Sequence, residues 1–450
     1  MSATQQMMRL SYTADIVNTD ANPVSASSQP SDALDQRRRS LVRQSEIVIS
    51  NVLRGGVLLS AGVILIGSLL YYLRPAAERA GYATYPHTLG QVATAVATGN
   101  PEGIITLGLL ILLATPVLRV AVSIVAFALE RDWLYTGVTL LVLALLLASI
   151  LALGQIFGHG IVAPQAAPSL GVFLIIALGS VVAGVVGSLV GLGGGVLVVP
   201  LLTIAFNVYP EVAVGVSIVS VIATSSGAAA AYVRDHITNL RVGMFLEIAT
   251  TIGAIAGAFL AIVIAPGWLF IVFGAVLLIS GVPLIFKIGE EIPQGVRNDI
   301  WARRLSLASS YPDDKLGRTI DYQVEHVPLG FGMMTIAGLL SGLLGIGSGT
   351  FKVLAMDTAM RLPMKVSTTT SNFMIGVTAA ASAGIYFQRG DMHPLYAAPV
   401  ALGVLIGATG GAKALARFSN ATLRKLFVPV LAAIAIEMLI RGAGYLATGH

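Results

Sequence analysis

The chain has 450 residues, of which 56% are hydrophobic and only 11% charged, against about 25% charged in a soluble domain. Its mean hydropathy is +0.84. The net charge of +5 does not point to nucleic acid, because no Arg/Lys run is interleaved with aromatics that could stack bases. The absence of cysteine excludes disulfides, thiolate metal sites and thiol nucleophiles.

In chain order, residues 1–45 are rich in Ser, Thr, Asp, Asn and Gln, hold no secretory signal and read as a disordered tail. Arg37, Arg38, Arg39, Arg43 and Arg54 precede the first apolar block, which predicts a cytoplasmic N-terminus. Several later blocks exceed the ~18–20 residues that cross a hydrocarbon core. Three helices are predicted within residues 46–160, at about 55–73, 103–128 and 133–157. They are separated by a polar stretch, 74–102, whose charges cancel, and by Glu130-Arg131-Asp132. Arg119 is the only charge well inside a helix of this unit, where it is expected to pair or to snorkel. A Pro/Ala/Gln linker at 158–168 follows.

The next segment repeats. Residues 184–200 read GVVGSLVGLGGGVLVVP and residues 338–354 read GLLSGLLGIGSGTFKVL. The offset of 154 persists without a gap, pairing Gly191 with Gly345, Gly193 with Gly347, Gly195 with Gly349, Ser217 with Ser371, Thr224 with Thr378 and Gly257 with Gly411. This is a duplication, with repeats at 169–287 and 328–443 and a polar cytoplasmic linker at 288–327. Counting a short return limb after each glycine cluster gives five limbs per repeat, so the second repeat is inverted. Inversion places Arg234–Arg241, the linker, Arg361/Lys365 and the Lys413–Lys425 cations inside, as positive-inside orientation asks. The expected fold is therefore an all-α polytopic membrane protein: two inverted repeats with Gly-broken helices, plus an N-terminal three-helix unit.

Paired Gly-interrupted segments point to a transporter's binding site. Gly193, Gly194, Gly195 and Gly347, Ser348, Gly349 break their helices at matching positions. A break frees backbone N–H groups that an anion can satisfy. The four-residue spacing of Gly187, Gly191 and Gly195 also suits close helix packing. Lys352 replaces the apolar Val198 of the first repeat. Placing a lysine there costs about 2.5–3.5 kcal/mol on insertion scales, which an anion or a salt bridge to Asp357 would offset. Ser217, Thr224, Ser371 and Asn372 are hydroxyl and amide donors on the following helices, where packing is the alternative role. Glu247 and Glu437 are embedded acids and candidates for proton coupling. Neither metal-ligand spacing nor a nucleotide-binding or hydrolase motif occurs, so no metal, cofactor or enzymatic activity is expected.

The segments VGLGGGVLVVPLL and LGIGSGTFKVLAM, with VSIVSVIATSSGAAAAY and MKVSTTTSNFMIGVTAAASAGIYF downstream, resemble the sulfite exporter TauE/SafE family over roughly 169–443. The 55–157 unit resembles a domain of unknown function, DUF1634. The first resemblance implies a carrier of sulfite, sulfonates or related organosulfur anions in the plasma membrane, with a small anion and the bilayer as partners and a homo-oligomer left open. The second hairpin departs from the family pattern, with Ser348 for a glycine and Leu354 in the place of Pro200. A non-transporting scaffold or accessory subunit is the alternative reading, in which the glycines serve packing alone.

Overall fold

A computed structural model describes residues 54–75, 85–153, 166–190, 193–232, 237–286, 293, 295–313, 317–414 and 420–448. The tail, most of the 158–168 linker and Gly191 lie outside these residues. The N-terminal unit comprises α1 (Arg54–Leu73), α2 (Leu89–Ala97), α3 (Pro101–Leu129) and α4 (Trp133–Leu147), the last running into a π-helical turn, Ala148–Leu153. The first repeat comprises α5 (Leu170–Val190), the short α6 (Gly195–Pro200) with a π turn at Leu201–Ala205, α7 (Pro210–Tyr232), α8 (Leu240–Val263) and α9 (Pro266–Phe286). After α10 (Ile300–Arg304) and the antiparallel strands β1 (Ser309–Asp313) and β2 (Arg318–Tyr322), the second repeat follows. It comprises α11 (Val327–Leu344), α12 (Gly349–Leu354) with a π turn at Ala355–Ala359, α13 (Met364–Gln388), α14 (Pro394–Ala414) and α15 (Asn420–Thr448).

Among the described residues eight helices are long and apolar enough to cross a membrane. The protein is an all-α polytopic membrane protein. Polar residues mark where its helices start, because the first backbone N–H groups need acceptors. Asn100 accepts from Glu102 N ahead of Pro101, Asp132 from Tyr135 N, Asn239 from Val242 N and Asp299 from Ala302 N. The linker is folded: Asn239 donates to Leu307 O at 2.9 Å and to the Tyr322 hydroxyl at 2.8 Å, and Tyr135 donates to Leu305 O at 2.7 Å.

The duplication survives in three dimensions. Gly195–Pro200 and its π turn map, at offset 154, onto Gly349–Leu354 and its π turn. Packing is exchanged between the repeats: α5 lies on α14 and α11 on α8, α7 lies on α14 and α13 on α8, while α7 meets α13 and α9 meets α15. Small residues make the close pairs possible. A Cβ on Gly253 or Gly257 would strike the backbone of Thr335 or Leu339, and one on Gly407 the backbone of Val181.

Equivalent helices are also anchored at different ends. α8 starts at Asn239, against the linker, whereas α14 starts beyond the 389–393 loop, at the far end of the 25-residue α13. α13 itself starts beside Arg361, which pairs with Glu325 at 3.4 Å. Its equivalent α7 starts near Gly215, where a Cβ would meet Asp391 O at 2.6 Å.

Gly257→Val should cost about 3 kcal/mol or more, because backbone cannot move aside as a side chain can. Gly332→Ala, whose Cβ meets open space, should stay within about 0.5 kcal/mol of the parent. Thermal unfolding in detergent compares the two.

Candidate functional site

The two helix breaks meet halfway along α7 and α13. Gly193 and Gly347, both with φ +74°, rest on the same pair of side chains, Val221 and Ile375, which are themselves repeat equivalents. A Cβ on Gly195 would lie 2.7 Å from Gly345 O and 3.2 Å from Ile346 Cα, so only glycine lets the breaks touch. Ser217 donates across the repeats to Gly345 O at 2.7 Å, and Ser371 donates to Gly349 O at 3.1 Å. These hydroxyls satisfy the breaks themselves, as do others at helix crossings. Ser225, for example, donates to Asn372 O at 2.8 Å and accepts from Gly376 N at 3.1 Å.

The halves then diverge. At the first break Gly194 N donates to Thr224 Oγ1 at 3.2 Å, so that N–H is already occupied. Thr378, the equivalent of Thr224, is drawn elsewhere: it accepts from Lys352 Nζ and donates to Glu247 Oε1 at 2.8 Å, with Thr250 Oγ1 at 3.1 Å. Lys352 and Glu247 are fully buried, and a hydroxyl bridges them where no direct ion pair forms. The backbone differs as well, since Ser348 has φ +49° where Gly194 has φ −62°.

Buried polar atoms without a hydrogen-bond partner occur in both repeats, among them Ser180 Oγ, Thr238 Oγ1, Glu247 Oε2 and Thr251 Oγ1 in the first. On the second break and the segments beside it they are Ser341 Oγ, Ser348 Oγ, Thr350 Oγ1, Asp357 Oδ1, Ser367 Oγ and Asn372 Nδ2. Their first-repeat equivalents are Gly187, Gly194, Val196, Thr203, Ala213 and Ile218. Only Thr203 is polar, and its hydroxyl donates to Val199 O at 2.9 Å. Natural proteins leave few such groups empty, and a ligand or water usually accounts for them.

The charged candidates have distinct surroundings. Lys352 reaches Thr378 rather than Asp357. Glu247 sits in the core, away from any helix end. Glu437 is separate from this site, paired with Arg441 at 3.0 Å on a side chain 42% exposed. Arg119 does not snorkel: it is fully buried, donates to Phe373 O at 2.6 Å and stacks over the Phe373 ring at 5.0 Å. Among the described residues no group of three or more His, Cys, Asp and Glu could hold a metal ion.

A duplicated bundle of membrane-length helices, broken at two apposed mid-bundle points beside buried charge, defines a polytopic membrane transporter. The family described as Sulfite exporter TauE/SafE matches residues 175–438, more than half of the sequence, and the chain belongs to it. A second family, described as Protein of unknown function (DUF1634), matches residues 49–151. The chain is 27% identical to the Probable membrane transporter protein YunE of Bacillus subtilis over 277 residues, covering 60% of this chain and 98% of that protein. It is 25% identical to the Probable membrane transporter protein YdhB of the same organism over 231 residues, covering 51% and 85% respectively. No solved structure matches.

A double-mutant cycle tests the bridge. Glu247→Gln and Lys352→Met should each cost about 3–5 kcal/mol, because each strands the other's buried charge or its partner. Together they should cost less than their sum, with a coupling of about 1–3 kcal/mol. Additive losses in thermal unfolding would mean that Thr378 transmits nothing between them.

Proposed function

We propose that the chain is a secondary carrier of small sulfur-containing anions, sulfite, sulfonates or related organosulfur anions, in the plasma membrane. Transport proceeds by alternating access between inverted repeats, with the N-terminus and linker cytoplasmic. The starts of α7 and α8 at the opposite ends from those of α13 and α14 support the inversion. The meeting of the breaks on Val221 and Ile375 supports a pivot between two moving halves.

The observation that carries the anion reading is the one-sided polarity of the site. The first break is satisfied internally, through Thr224. The second break is flanked by the empty donors Ser348 Oγ and Asn372 Nδ2 and by the buried Lys352. Hydroxyl, amide and ammonium donors suit an oxyanion, and an anion would satisfy them where the protein does not. The substrate therefore sits at Gly347, Ser348, Gly349 and Asn372 rather than equally at both breaks, and Gly193, Gly194, Gly195, Ser217, Thr224 and Ser371 shape the crossing. Glu247, joined to Lys352 through Thr378, is the group placed to exchange a proton with the anion site. Glu437, at the exposed pair with Arg441, drops out of that role.

Flux of radiolabelled sulfite into proteoliposomes tests the carrier reading, with taurine, sulfoacetate and thiosulfate as competitors. If none of these anions moves or competes, the scaffold alternative stands. Ser348→Gly isolates the site. It relieves a left-handed backbone conformation worth roughly 1 kcal/mol and removes a hydroxyl that has no protein partner. Unfolding temperature should rise while sulfite flux falls; equal flux would move the site elsewhere.

A further inference from the structure

The N-terminal unit reaches into the transport core with one buried charge. Arg119, two-thirds of the way along α3, is fully buried, and its Nη1 is held by Phe373 O of α13. The other edge of its guanidinium, Nε and Nη2, has no hydrogen-bond partner. That edge is the planar fork that takes two oxygens of a carboxylate, phosphate or sulfonate at once. Phe373 is next in sequence to Asn372, whose Nδ2 is also empty, and precedes on the same helix Thr378, which carries Lys352 and Glu247. Glu247 is the carboxylate joined to Lys352 through Thr378.

The contact that brings Arg119 here is built by α3 and the π turn after α4. Thr115 Oγ1 lies 3.1 Å from Ser226 Oγ of α7, and a Cβ on Gly376 would meet Ser225 and, at 3.7 Å, Pro116. Ser149 donates to Ala381 O, and Gln388 donates to Ile150 O at 2.8 Å. A Cβ on Gly384 would meet Ile150 Cα at 2.5 Å. α3 and the π turn after α4 thus clamp α13 along its length, and Arg119 is fixed at the level of the anion donors.

We infer that Arg119, supplied by the N-terminal unit, is a binding residue for the transported anion, its free Nε/Nη2 edge gripping two oxygens of one sulfur centre. The inference rests on the carrier reading above. It makes the unit part of the substrate site, and it assigns selectivity to anions with two coplanar oxygens on one atom.

The test is calorimetric titration of sulfite into the full chain in nanodiscs, for the wild type, Arg119→Gln and Arg119→Lys. A lost charged hydrogen-bond pair weakens binding by about tenfold or more. Arg119→Gln keeps a donor for Phe373 O, so it should bind sulfite at least about tenfold more weakly while melting within a few degrees of wild type without ligand. Arg119→Lys, which restores charge but not the fork, should recover only part of the loss. If Arg119→Gln does not fold, Arg119→Lys decides, and wild-type affinity there overturns the inference. Wild-type affinity in Arg119→Gln overturns it too and leaves the carrier reading intact. Failure of the wild type to bind sulfite, taurine, sulfoacetate or thiosulfate overturns both.

Discussion

A helix that stops halfway across a bilayer leaves backbone N–H and C=O groups where no water can reach them, each costing several kcal/mol if nothing answers. The organisation of this core follows from meeting that demand twice. The breaks are pressed together, so that protein rather than lipid surrounds them, and Gly195 is the residue that allows the approach. Hydroxyls from α7 and α13 then take up the loose groups: Thr224 for Gly194 N, Ser217 for Gly345 O, Ser371 for Gly349 O. The close pairs α5 with α14 and α8 with α11 hold those helices in place around the centre. Packing and site are thus one structure, which is why hydroxyls that looked like ligands in the sequence serve partly as struts.

Duplication gave two equivalent half-sites, and their divergence is informative. Val198 corresponds to Lys352, Gly194 to Ser348, and Ile218 to Asn372. Each difference adds polarity to the second half, and Ser348 Oγ and Asn372 Nδ2 have no protein partner to absorb it. Thr378 shows how far the change extends, since its first-repeat equivalent caps a helix break while Thr378 itself joins two charges.

Much of this was legible in one dimension. Hydropathy located the spans, because length and apolarity alone decide them, and the 154-residue offset placed the short helices Gly195–Pro200 and Gly349–Leu354 in register. The nine-residue α2 inside the stretch 74–102 and the β1–β2 hairpin in the linker were not foreseen, since both are short elements inside segments read as polar connections. Nor could sequence join Arg119, Glu247, Lys352 and Thr378, which come from four helices and converge only through packing. The available signal was that three of them are ionisable residues in apolar blocks, which in a membrane need a shared destination.

The exchanged pairing of α5 with α14 carries a consequence for how the protein is made. The ribosome releases α5 on the order of 200 residues before the helix that covers its small-residue face. At 5–20 residues per second this is a delay of roughly 10–40 s. During that interval the glycine-broken first repeat must wait in the membrane half-assembled. The N-terminal unit is already there, and α3 packs against α7 as well as against α13 and α14. It is thus available as a built-in holding surface for the first repeat until its second half arrives.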